Sequence, residues 1–236
     1  MIEILLMGFL LGMRHAMESD HVAAVASLVT KSPSLRESIR LGSMWGLGHT
    51  VTLFIFGSAV MLLDHMIPER MAMMLEFAVG IMLVMLGIDV VRRFMRERVH
   101  FHSHRHADGT LHFHAHAHAD EINHASDSHM HMHREKFPLR ALLVGIMHGM
   151  AGSAAMIVLT LQTVQSFGMG LIYITLFGLG SIGGMAALSM AIMLPLRHSA
   201  SRYARAHQYL QFGIGTATIV LGISLMLEIG INGKIL

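Results

Sequence analysis

Long apolar runs alternate with short polar connections along this chain. The runs occupy residues 2–29, 41–63, 72–93, 139–161, 169–194 and 208–230. A helix needs about 20 apolar residues to cross the hydrocarbon core of a bilayer, so each run is long enough to span it. The connections, KSPSLRESIR, DHMIPER, a His-rich block, QTVQSFG and LRHSASRYARAH, are polar. The pattern predicts an all-α integral membrane protein with six transmembrane helices. No Lys or Arg precedes the first run, so it lacks the basic start of a signal peptide and is expected to be a retained span.

Composition sharpens this picture. Charged residues are 14% of the chain and the mean hydropathy is +0.56, whereas soluble domains carry about 25% charged residues. The absence of Cys excludes disulfides and thiolate metal sites. Of the 17 Lys and Arg, 14 fall in the first, third and fifth connections or at the run ends that border them. Basic connections stay in the cytoplasm, which predicts a multi-pass protein of the cell (inner) membrane with both termini outside. The bilayer is the expected partner; nucleic acid is not.

The two halves resemble each other. LLMGFLLGMRHAMESDHVAAV aligns with LRALLVGIMHGMAGSAAMIVL, setting Gly12 on Gly145 and His15 on His148. Gly46–Thr50 (GLGHT) aligns with Gly178–Ile182 (GLGSI), and Phe77–Ile88 with Phe212–Ile223, in the same order. An odd number of spans per copy turns the second copy over. The expected organisation is therefore two inverted three-helix repeats, 1–95 and 139–236, joined by a cytoplasmic His-rich loop, 96–138. In secondary transporters built this way the substrate site lies near the midplane between repeats.

The first run contains RHAMESDH, Arg14 to His21. A charge at mid-bilayer costs about 2.5–3.5 kcal/mol, so something must offset these. Arg14 and Glu18, four apart, could pair on one helix face, which leaves His15, Asp20 and His21 unexplained. On a straight helix His15, Glu18 and His21 share a stripe about 120° wide, and Asp20 points away from it. Either three of these residues share a site, or the helix is locally unwound and Asp20 joins them. Imidazole nitrogens and carboxylate oxygens suit a divalent first-row metal. His49, between small residues in the second run, is a further candidate ligand. His148 matches His15 but has no acidic sequence neighbours, and reads as the weakest ligand.

These motifs carry a family resemblance. HAMESDHVAAV resembles the His-Ala-x-Asp-Ala-Asp-His-Ile signature of the nickel/cobalt transporter family. WGLGHTVTLFIFG looks like that family's Leu-Gly-His-Ser motif, and HGMAGSAAM is similar to the shorter, six-span UreH-like branch. The resemblance implies Ni²⁺ or Co²⁺ binding by His15, Asp20, His21 and His49. Glu18 stands where the signature has its first Asp, and the acidic motif that larger members carry after the fourth or fifth span is missing.

Histidine recurs at every second position in the connecting block: His100, His102, His104 and His106; His112, His114, His116 and His118; His129, His131 and His133. Such tracts signal metal binding. Extended, the run is expected to carry rings on both sides; folded, to gather several around one ion. The 23 methionines bring in a copper route, since thioethers favour Cu(I), although Met is also a packing residue. The leading expectation is a carrier of Ni²⁺ or Co²⁺, with Zn²⁺ or Cu⁺ the lesser alternatives, no resident cofactor, and a cytoplasmic metallochaperone as an admissible partner. A metal-binding accessory protein for nickel-enzyme maturation is the other reading. An intramembrane metalloprotease would need His-Glu-x-x-His, which is absent, so no enzyme is expected.

Overall fold

The structure, a computed structural model, describes residues 2–32, 34–63, 68–96, 100–105, 111–116, 138–163, 166–202 and 204–232. Seven helices occur among them: α1 (Ile2–His15), α2 (Ser19–Val29), α3 (Leu35–Leu63), α4 (Glu69–Arg96), α5 (Leu139–Thr163), α6 (Phe167–Arg202) and α7 (Ala204–Asn232). Local sequence explains their starts. Ser34 Oγ accepts the backbone N–H of Glu37 at 3.2 Å, the N-terminal half of a Ser-x-x-Glu capping box. Pro68 and Pro138 precede α4 and α5, and their carbonyls accept the first helical N–H groups.

The first apolar run is not one helix. α1 closes with tight i→i+3 bonds, Met17 N to Arg14 O and Glu18 N to His15 O, a common way of ending a helix. Glu18 is extended, with φ −64° and ψ 149°, and caps α2. This break undoes the straight-helix geometry on which an Arg14–Glu18 pair depended. Glu18 bonds to His15 instead.

Among the described residues, four helices are long and apolar enough to cross a membrane: α3, α4, α6 through Ser199, and α7 from Ala206 to Ile231. The α2 helix and the Leu139–Ala151 part of α5 are shorter apolar segments. Pro195 lies within α6 without ending it. Large apolar side chains such as Met7, Ile55, Met85 and Ile231 are exposed; an apolar exterior of this extent suits lipid.

α3 packs against both α5 and α6, α1 lies along α6, and α4 lies along α7. The core runs through Trp45, Leu83, Val25 and Met185. Glycines allow the closest crossings. A Cβ on Gly12 would collide with the carbonyl oxygen of Phe177, and one on Gly145 with that of Trp45. Likewise Gly180 abuts the Phe9 carbonyl and Gly48 the Leu142 carbonyl. Where α2, α4 and α5 meet, Asp89 Oδ2 accepts Lys31 Nζ at 2.7 Å and Arg140 Nη2 at 3.0 Å, with Arg93 Nη2 at 3.8 Å.

The His-rich segment, expected as a loop, contains a hairpin. β1 (His100–Arg105) pairs antiparallel with β2 (Leu111–His116), setting His100 opposite His116, His102 opposite His114 and His104 opposite His112. Strand residues two apart occupy positions of the same face, which corrects the expectation that an extended run would carry histidines on both sides. His106, His118, His129, His131 and His133 lie outside the described residues.

Candidate metal centre

Four helices bring four histidines together. His15 ends α1, His21 lies in the first turn of α2, His49 is in α3 and His148 in α5. His21, His49 and His148 are almost fully buried, and His15 nearly so. The His15 and His21 ring centroids are 4.3 Å apart, and those of His21 and His148 4.2 Å. The Trp45 ring lies tilted to His21 at 5.3 Å and edge-on to His148 at 5.6 Å, and Phe177 lies tilted to His15 at 5.3 Å. No sequence motif singled out these two aromatic walls. For Trp45 a signal existed: it lies four residues before His49, on the same helix face.

The helix break settles where Asp20 points. With α2 restarted at Ser19, Asp20 Oδ1 accepts the backbone N–H of His21 at 2.9 Å and lies 3.0 Å from His21 Nδ1. Its other oxygen, Oδ2, lies 3.0 Å from His148 Nε2. The acidic neighbour that His148 lacks in sequence is supplied across the fold. Glu18 takes a different place: its side chain is 58% exposed, and its Oε1 lies 2.9 Å from His15 Nδ1. It stands behind the His15 ring, outside the buried cluster.

Hydrogen-bonding chemistry assigns the protons. An ionised carboxylate only accepts, so neutral His15 and His21 carry their protons on Nδ1 and His148 carries its proton on Nε2. That leaves lone pairs on His15 Nε2, His21 Nε2 and His148 Nδ1. The last two are buried without a hydrogen-bond partner among the described residues, as is His49 Nδ1. His15 Nε2 accepts the Nε2–H of His49 at 3.2 Å. Two nitrogens at that separation subtend about 100° at an ion bonded about 2.0–2.1 Å from each. Among the described residues, two groups can gather ligand atoms within 4.8 Å of one another: His15, His21 and His49; and Asp20, His21 and His148. Of the five methionines near the polar motifs, the candidates for a thioether route, Met17 and Met147 are exposed and Met13, Met44 and Met150 are half-buried.

No family model and no solved structure matches the chain. Two relatives do. The urease accessory protein UreH of Bacillus sp. (strain TB-90) is 36% identical over 232 residues, covering 98% of this chain and 94% of the relative. A candidate nickel/cobalt efflux system of Methanocaldococcus jannaschii, MJ1092, is 24% identical over 191 residues, covering 78% of this chain and 73% of the relative. With near full-length identity at this level and helices able to span a bilayer, the chain is a multi-pass, non-enzymatic membrane protein belonging to the UreH-like group of the nickel/cobalt transporter family.

Proposed function

We propose that this protein carries Ni²⁺ or Co²⁺ across the membrane and holds the ion in the buried histidine cluster. One observation carries the reading: imidazoles from α1, α2 and α3 converge, with His21 Nε2 and His49 Nδ1 unpartnered among the described residues and the Nε2 atoms of His15 and His49 at ligand-to-ligand spacing, 3.2 Å apart. Removing water from a divalent ion is costly, and several fixed nitrogens offset that cost. Glu18 behind His15 and Asp20 behind His21 match the carboxylate–imidazole arrangement that orients a metal-binding ring and raises its basicity. Nitrogen and carboxylate donors favour Ni²⁺, Co²⁺ or Zn²⁺ over Cu⁺. The named efflux relative favours nickel or cobalt.

The six-span, inverted-repeat architecture belongs to the same proposal. α1 and α2 together form one discontinuous span, and their facing ends frame the ion, as broken helices do in transporters. The packing supports the repeat. The contacts Gly12–Phe177 and Gly145–Trp45 exchange under the sequence offsets that relate the halves, and so do Gly48–Leu142 and Gly180–Phe9. Rocking of the halves, 1–95 against 139–236, exposes the site to each side in turn. Both termini lie outside, and the His-rich loop faces the cytoplasm, where it buffers metal or exchanges it with a metallochaperone.

The deciding test is ⁶³Ni²⁺ flux into proteoliposomes containing the purified protein. Wild type is expected to move the ion, and His15→Ala, at equal abundance, to lose that flux; a fully active His15→Ala would sink the proposal. The UreH name favours a second reading, an accessory role in urease maturation. Tight core binding with no flux by the wild type selects it.

A further inference from the structure

His21 belongs to both ligand groups of the cluster. The first group, with His15 and His49, draws on α1, α2 and α3, all in the first half of the chain. The second, with Asp20 and His148, joins α2 to α5 and so reaches into the second half. The two ring nitrogens of His21 differ: Nε2 is buried without a hydrogen-bond partner among the described residues, whereas Nδ1 lies 3.0 Å from Asp20, a member of the second group.

We propose that the cluster is two overlapping ion stations sharing His21, and that one metal ion passes between them. This rests on the carrier reading and adds the path of the ion within it. At the first station three neutral imidazoles hold the ion, His15 and His21 through Nε2 and His49 through Nε2 once its proton has passed from that nitrogen to Nδ1, and Asp20 serves only to hold the His21 Nδ1–H. At the second, Asp20 binds the ion directly with His21 Nδ1 and His148 Nε2. Those two nitrogens now carry protons, so occupation requires both rings to pass to their other neutral tautomer. The metal–Nε2 bond of His21 breaks as the metal–Nδ1 bond forms, and the proton leaves Nδ1 and ends on Nε2. For His148 the proton leaves Nε2 and ends on Nδ1. Both receiving nitrogens are buried, with no hydrogen-bond partner among the described residues, and the charge of each ring is unchanged. Holding two ions together would strip both protons from His21, so occupancy alternates. Because the second station straddles the halves, it assembles and breaks as they move, whereas the first travels intact with one half.

The test uses the full-length purified protein, titrated with Co²⁺ and followed by visible d–d absorption and by bound metal per chain. Loop sites are common to every variant and cancel in differences from wild type. His21→Ala is expected to lose one Co²⁺ per chain. His49→Ala and His148→Ala should each keep a core ion at least tenfold more weakly bound, with absorption bands that differ from each other. Asp20→Asn guards against misfolding: its amide oxygen can still accept the His21 Nδ1–H, so it should keep the first station and lose flux, as His148→Ala does. Loss of the core ion in both His49→Ala and His148→Ala, to the same extent as in His21→Ala, would mean one merged site and overturn the proposal. So would loss of two ions in His21→Ala, or wild-type flux in both His148→Ala and Asp20→Asn. A wild type that binds with the two expected spectra but moves no metal refutes carriage while upholding the two stations.

Discussion

Asp20 Oδ2 lies 3.0 Å from His148 Nε2, joining the start of α2 to the middle of α5. Asp20 shares its carboxylate between this contact and His21 Nδ1, so one side chain orients two buried imidazoles from different halves of the chain. Sequence alone made His148 look isolated; the fold gives it the acid that its own helix lacks.

The chain has one tryptophan, and it packs within 5.3 Å of His21 and 5.6 Å of His148, ring to ring. Binding of Ni²⁺ or Co²⁺ in the cluster should therefore quench Trp45 fluorescence. The quenching should saturate with core occupancy and vanish in His21→Ala. Emission indifferent to metal in the wild type would place the bound ion elsewhere.

Glu18 and His15 should separate in their mutational effects. Glu18 is exposed and holds the far side of the ring, so Glu18→Gln should weaken binding by about 10–100-fold while leaving the ligand field nearly unchanged. His15→Ala should change both. Calorimetry combined with Co²⁺ absorption distinguishes the two.

Gly12 and Gly145 occupy equivalent crossings against the Phe177 and Trp45 carbonyls. A methyl group at either would force backbone apart from backbone, which overpacking data put at about 1–3 kcal/mol. Gly12→Ala and Gly145→Ala should destabilise to a similar degree in thermal unfolding. A large loss at one with none at the other would argue against equivalent repeats.

Asp89 neutralises part of the charge of Lys31, Arg93 and Arg140. The node is partly exposed, so its value is that of a surface network rather than a buried pair. Asp89→Asn should cost about 1 kcal/mol and lower Tm by about 2–4 °C. The difference should shrink as salt screens the charges; one that grows with salt would contradict the electrostatic account.

Imidazole ligates a metal only as the neutral ring, and the free side chain titrates at about pH 6.5. Protons compete for the same lone pairs, so loop-bound metal should be held above that pH and released as it falls below about 6. Deleting residues 100–133 should remove this acid-sensitive fraction and lower apparent affinity without abolishing flux. Equilibrium dialysis against pH, with and without the block, checks both.

Apolar run length and the placement of basic residues were enough to identify a multi-pass helical protein, because burial in lipid constrains sequence so strongly that composition and spacing reveal it. The members of the candidate site His15, Asp20, His21 and His49 stood out too, since charge and imidazole inside an apolar run are costly unless a partner or an ion offsets them. The His-rich hairpin left a local trace, alternating residues on either side of Asp108-Gly109, a dipeptide favoured in tight turns. What the chain alone left open was the helix break at residues 16–18, and with it the direction of Asp20: a straight helix and a broken one share the same hydrophobic pattern. The partnership of Asp20 with His148 and the aromatic walls of Trp45 and Phe177 were likewise decided only by tertiary packing. Periodicity reports which face of a helix is buried, whereas the residue it meets across the core depends on how separate helices cross.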